Sequence, residues 1–228
     1  MSSKTNTAGI ILAAGSSVRF GRPKQLIKLR DKYLVEWVLD AALNSRLQTV
    51  VLVLGHEHQK IIKAVGATVH HPKLEVVVNP HYREGQSTSL KAGLTSVRHV
   101  FSSVMYLLAD QPMIRSSTID LLLDQFHASV KDICVPVFEG QRGNPTIFKR
   151  SIYEEIMMLD GDMGARNIIR DNAQGVLYVD IKDPLCFIDI DSADDLENLL
   201  ALLPRPQRAQ KRASTYRGCP FFLKDNFY

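Results

Sequence analysis

Five short apolar runs limit what this chain can fold into: residues 9–14, 49–54, 74–78, 103–109 and 133–137. Continuous Ile, Leu, Val and Ala over so few residues is the pattern of strands buried on both faces. Segments with helical spacing lie between them, at 34–45, 56–66, 87–98 and 117–129. This alternation predicts an α/β fold, with a mostly parallel sheet wrapped on both faces by helices. Trp37 reads as part of a core-facing helix. Shorter strands at 145–148 and 176–179, with a helix at 165–171, read as an insertion or edge addition. A final strand is expected at 186–190, before a helix at 193–203. Ser192 sits three residues ahead of Asp195, close to a capping box. Asp194, Asp195 and Glu197 suit the positive end of that helix.

The 228 residues suffice for one large domain, expected over 8–203. Residues 1–7 read as a flexible N-terminus and 204–228 as a basic, flexible tail. The tail holds six cations (Arg205, Arg208, Lys211, Arg212, Arg217 and Lys224) against Asp225, which accounts for all of the net charge of +4. The remaining body is close to neutral, so a nucleic-acid-binding role is not expected. No apolar run reaches the length of a bilayer, and the polar N-terminus is no secretory signal. A cytoplasmic protein without a membrane partner is expected. Cys134, Cys186 and Cys219 are odd in number and widely spaced, which fits idle thiols in a reducing compartment. His56, His58, His70 and His71 lack further ligands at zinc spacing and read as helix-end histidines.

The chemistry is concentrated where strands end, which is where open parallel sheets bind ligands. Leu12-Ala13-Ala14-Gly15 closes the first run. The loop through Arg19, Gly21, Arg22, Pro23 and Lys24 follows. Glycines let the backbone approach a ligand, and bare N–H groups with three cations suit a polyphosphate. A plain strand-to-helix turn is the other reading. The loop matches neither Gly-x-x-x-x-Gly-Lys-Ser/Thr nor Gly-x-Gly-x-x-Gly. Asp110-Gln111-Pro112 ends the fourth run. A carboxylate there is suited to Mg²⁺, and equally to a turn. Asp189 and Asp191 alternate so as to share one strand face; they form a metal pair or belong to the cap around Ser192. Asn79 opens a glycine-bearing stretch through Gly85 to Ser89 and Gly93, suited to an anion or a base edge. Arg142-Gly143-Asn144-Pro145 and Asp160-Gly161-Asp162-Met163-Gly164-Ala165-Arg166 are two further glycine turns with charged residues. They are substrate walls or ordinary surface loops.

Taken in order, these five elements resemble the molybdenum cofactor cytidylyltransferase family, within the MobA-like nucleotidyltransferases. The resemblance spans about residues 8–202. Phe20 stands where the family's loop usually has Met, and Asn144 where it has His. The resemblance implies a Rossmann-like three-layer sandwich of the nucleotide-diphospho-sugar transferase type. It implies Mg²⁺-dependent transfer of a cytidylyl group from CTP to a molybdopterin-type cofactor, releasing pyrophosphate, with a molybdoenzyme as possible recipient of the product. Arg19, Lys24 and Asp110 would be catalytic. Leu12, Ala13, Ala14, Gly15, Lys24, Asn79, Ser89 and Asp110 would bind nucleotide. Arg142, Asn144, Asp162 and Arg166 would bind the acceptor. Asp110 with Asp189 or Asp191 would hold the metal. Guanylyl relatives usually read Leu-Ala-Gly-Gly and Asp-Lys; Ala13-Ala14 and Pro23-Lys24 favour the cytidylyl branch. A sugar- or polyol-phosphate acceptor, or a cofactor carrier without catalysis, are the alternatives. A nicotinamide-dependent oxidoreductase lacks its dinucleotide glycines here.

Overall fold

The computed structural model describes residues 6–15 and 23–204. Among the described residues the strands in chain order are β1 (Thr7–Ala13), β2 (Lys28–Leu29), β3 (Lys32–Tyr33), β4 (Thr49–Leu54), β5 (Leu74–Val78), β6 (Ser103–Leu108), β7 (Ile133–Phe138), β8 (Gln141–Arg142), β9 (Thr146–Lys149) and β10 (Val176–Asp180). The α-helices among them are α1 (Leu34–Leu43), α2 (His58–Val65), α3 (Gln86–Val97), α4 (Ser116–Ala128), α5 (Tyr153–Met157), α6 (Arg166–Asp171) and α7 (Ala193–Leu202). The main sheet runs β10-β7-β9-β6-β1-β4-β5, with β8 paired to β7. β1, β4, β5 and β6 are mutually parallel. β9 runs antiparallel between β6 and β7.

The layers follow from the period-2 alternation of a strand buried on both faces. Along β1, Ile11 and Ala13 join a core that includes Val38 and Leu39 of α1 and Leu122 of α4. Ala8 and Ile10 face the opposite core, with Leu94 of α3, Ile156 of α5 and Ile169 of α6. A smaller core joins Leu29 and Leu34 to Ile190 and to Leu199 of α7. Cys134 and Cys186 are free and buried. Burial pushes the Cys134 thiol up to about 12, which leaves it unreactive.

Gly93 is where α3 presses on the sheet. A Cβ there would lie 2.4 Å from the Ile10 Cγ2 and 2.9 Å from Val53 Cγ2. Gly93→Val is therefore expected to destabilise the fold by about 2–3 kcal/mol through overpacking. Urea titration checks this; a shift in midpoint too small to resolve would contradict the close seating of α3.

Three expectations require correction. Residues 186–190 are not a strand. Pro184–Phe187 form a short 3₁₀ turn, opened by Asp183 accepting from the Leu185 N–H at 3.1 Å. The chain then makes a single backbone bond to the sheet's end, from the Ile190 N–H to the Asp110 carbonyl at 3.0 Å. No ladder can form, because β1 and β9 already occupy both edges of β6. The segment at 145–148 is no edge addition either, since β9 sits inside the sheet. β10, by contrast, is an edge strand. The α7 capping box is present: Ser192 Oγ accepts from the Asp195 N–H at 3.2 Å, and Asp195 Oδ2 from the Ser192 N–H at 2.8 Å. Thr7, read as the last residue of a flexible terminus, is fully buried in β1, with its hydroxyl 2.6 Å from Ser103 Oγ. Residues 1–5 and 205–228 lie outside the described residues.

Candidate active site

From β1 the chain turns to β4 and β5 on one side, then returns to place β6 on the other. The carboxyl ends of β1 and β6 thus flank the point where strand order reverses, the favoured crevice of an open α/β sheet. The Ala109 N–H donates to the Leu12 carbonyl at 3.2 Å and locks the two ends together. A cavity of about 640 Å³ opens above them, walled by Leu12, Ala14, Gly15, Lys24, Gln25, Ser89 and Asp110.

Lys24 is the electrostatic centre. Its Nζ is ion-paired with Asp110 Oδ2 and lies 2.9 Å from Asp191 Oδ1. Burial opposes its charge, yet the Coulomb attraction and hydrogen bond of Asp110, joined by Asp191, hold the ammonium pKa above its ordinary value. Lys24 therefore stays protonated at neutral pH. Asp189 completes the acidic group. It is exposed on one side, but the protein packed around its carboxyl, and then the nearby charge of Asp110, raise its pKa; a Gln111 hydrogen bond opposes this. Asp110 Oδ1 is buried without a hydrogen-bond partner. Such an orphaned acceptor beside a carboxylate group is suited to an oxygen-preferring cation. Among the described residues no three His, Cys, Asp or Glu converge to hold a metal by themselves. The donor set fits a hard divalent cation that takes one or two carboxylates and fills its other positions with non-protein oxygens.

The second wall is built by two crossing glycine turns. Gly85 has φ +116°, and a Cβ there would lie 2.2 Å from the backbone of Gly161. The Ser87 N–H donates to the Gly161 carbonyl at 3.2 Å, and the Gln86 N–H to Asp162 Oδ1 at 3.2 Å. Asp162 thereby satisfies a free amide at the start of α3. Beyond the crossing lies a second cavity of about 290 Å³, which shares Leu12, Gln86, Leu108 and Asp162 with the first and adds Asn144 and Arg166.

Leu12, Ala14, Gly15, Lys24, Ser89, Asp110, Asp162, Asn144 and Arg166 thus come together along one groove. Ala13 is buried just beneath it. Asn79 also lies below: its Nδ2 donates to Thr88 Oγ1 at 2.8 Å and Ser89 Oγ at 3.0 Å, and its Oδ1 accepts from the His81 N–H. Its amide hydrogens are both committed, so its visible work is to shape the loop. Arg142 lines neither cavity; its guanidinium sits over the Tyr178 ring, 5.3 Å from the centroid. Arg19 and Arg22 lie outside the described residues. Gln25, Tyr82 and Gln86 were not singled out by the sequence. Their signals are weak, because a lone glutamine or tyrosine has no diagnostic spacing.

The crevice defines a class: an α/β nucleotidyltransferase, with lysine and carboxylates at the sheet's switch point. The MobA-like NTP transferase domain matches residues 9–176, and the chain belongs to that family. It is 28% identical over 199 residues to a protein named nicotine blue oxidoreductase from Paenarthrobacter nicotinovorans, covering 84% of this chain and 95% of that one. It is 28% identical to the purine catabolism protein PucB of Bacillus subtilis (83% and 93%). It is 29% identical to a probable molybdenum cofactor guanylyltransferase from Thermococcus sibiricus (58% and 62%). Among solved structures, the Mycobacterium sp. strain JC1 homologue of Mycobacterium tuberculosis Rv0371c matches with TM-score 0.76 at 28% identity, over 87% and 97% of the chains. Rv0371c itself has been solved in complex with manganese, at TM-score 0.71 and 27% identity, over 87% and 100% of the chains.

Proposed function

We propose that the chain is a Mg²⁺-dependent cytidylyltransferase that joins CTP to a molybdopterin-type cofactor and releases pyrophosphate. Relatives named for molybdenum cofactor chemistry support the acceptor class, and the manganese complex of a related structure supports a divalent cation. The base preference rests on the resemblance: Ala14, whose methyl forms part of the cavity wall, stands where guanylyl relatives usually have glycine.

Transfer of a nucleotidyl group asks the protein mainly for alignment and charge neutralisation. Lys24 meets the triphosphate from the floor of the crevice, and Arg19 adds a second cation from the same loop. A divalent cation held by Asp110 with Asp189 or Asp191 would supply charge neutralisation at the triphosphate oxygens. Ser89 and the loop shaped by Asn79 face the nucleoside. Asn144, Asp162 and Arg166 line the acceptor's side of the groove, so the acceptor phosphate approaches the α-phosphorus from opposite the leaving pyrophosphate.

Pyrophosphate release with Mg²⁺ and molybdenum-loaded molybdopterin, compared across CTP, GTP, ATP and UTP, tests the reading. Release should be fastest with CTP. Equal or faster release with GTP would refute the cytidylyl assignment. Nucleotide binding without release would shift the reading to a sugar- or polyol-phosphate acceptor, or to a cofactor carrier.

A further inference from the structure

Gln25 follows Lys24 in the 3₁₀ turn Lys24–Leu26 and is only 2% exposed. It nonetheless forms part of the wall of the main cavity. Its Nε2 donates to two backbone carbonyls on the opposite side of the loop, Ala13 at 2.9 Å and Gly15 at 3.3 Å. Its Oε1 is buried with no hydrogen-bond partner. The carboxamide cannot turn over to relieve this, because the oxygen would then face both carbonyl oxygens. Its orientation is set entirely by the loop.

The carbonyl between these two is also engaged: the Ala14 oxygen accepts from the His56 N–H at 3.3 Å. Three consecutive carbonyls, from Ala13 to Gly15, are therefore drawn onto protein donors. A carbonyl oxygen facing a triphosphate would repel it. In a trans peptide the next N–H points opposite to the carbonyl, so the tether on the Ala13 carbonyl also fixes the direction of the Ala14 N–H. Gln25 supplies two of the three tethers and hangs from the residue next to the triphosphate lysine.

We infer that Gln25 is a positioning residue for the triphosphate: it holds the Ala13 and Gly15 carbonyl dipoles away from the phosphates and fixes residues 13–15 relative to Lys24. The inference rests on the nucleotide reading of the cavity, but not on the base or the acceptor.

The test is Gln25→Met in the full chain, which keeps the side chain's length and removes both donors. Calorimetry with Mg²⁺ should show CTP and inorganic pyrophosphate binding weakened at least about tenfold, the scale of one lost hydrogen bond in a buried site. The KM for CTP should rise in parallel while that for the acceptor changes less than about twofold, a split that general loosening would not give. Equal nucleotide and pyrophosphate affinities in folded Gln25→Met and wild type would overturn the inference alone. Wild-type protein that binds neither probe would overturn it together with the nucleotide reading. Should Gln25→Met not fold, Gln25→Asn carries the test: it keeps the donors but shortens their reach by one methylene. Weakened pyrophosphate binding supports the inference, and unchanged binding overturns it.

Discussion

Asp110→Asn should lower kcat by about 100- to 1,000-fold while leaving the fold intact, the range seen when one electrostatic contact to the reacting group is removed. Asparagine keeps the size and leaves the Ala109 N–H to Leu12 carbonyl bond undisturbed. It removes the charge that pairs with Lys24, and it replaces a carboxylate whose Oδ1 has no protein partner. Lys24 would then rely on Asp191, a weaker and more exposed partner with its side chain 52% accessible. Nucleotide affinity should change far less than turnover, because the loop and Lys24 remain. Steady-state kinetics with thermal melts distinguish the outcomes. A variant with more than about a tenth of wild-type kcat would remove Asp110 from the catalytic centre.

Gly85→Val should abolish function by a different route. Its φ of +116° is one that side-chain-bearing residues rarely adopt, and a Cβ would collide with the Gly161 backbone at 2.2 Å. Neither backbone can yield without breaking the Ser87 to Gly161 and Gln86 to Asp162 hydrogen bonds. Backbone strain of this kind costs about 1–3 kcal/mol before the clash is counted. The two substrate walls would part, so nucleotide and acceptor affinity should fall together, along with Tm. Loss of acceptor affinity alone, with nucleotide affinity kept, would mean that the crossing does not couple the two sides.

Much of this was legible in the sequence, for identifiable reasons. Buried parallel strands write themselves as uninterrupted apolar runs, and β1, β4, β5, β6 and β7 lie within a residue or two of where those runs predict. The α7 cap is local chemistry, readable from Ser192 and Asp195. The crevice was legible because strand ends are marked, by Gly15 in one case and by Asp110 and Pro112 in the other. What failed depends on long-range pairing. The place of β9 inside the sheet is decided by β6 and β7, more than 20 residues distant from part of their contacts. Residues 186–190 are apolar enough for a strand, yet both edges of β6, whose end they meet, are taken by β1 and β9. Asn79 and Arg142 have chemistry suited to a ligand, but Thr88, Ser89 and Tyr178 engage them first. Gln25 shows the converse: an ordinary residue in sequence whose role depends on two carbonyls more than nine residues back.

Following the label from α-³²P CTP tests the central claim most directly. With Mg²⁺ and molybdenum-loaded molybdopterin, the account predicts that the label enters a cofactor-linked cytosine dinucleotide, one per pyrophosphate released, and that Asp110→Asn nearly abolishes this. Label recovered only as CMP, or undiminished transfer in Asp110→Asn, would contradict it.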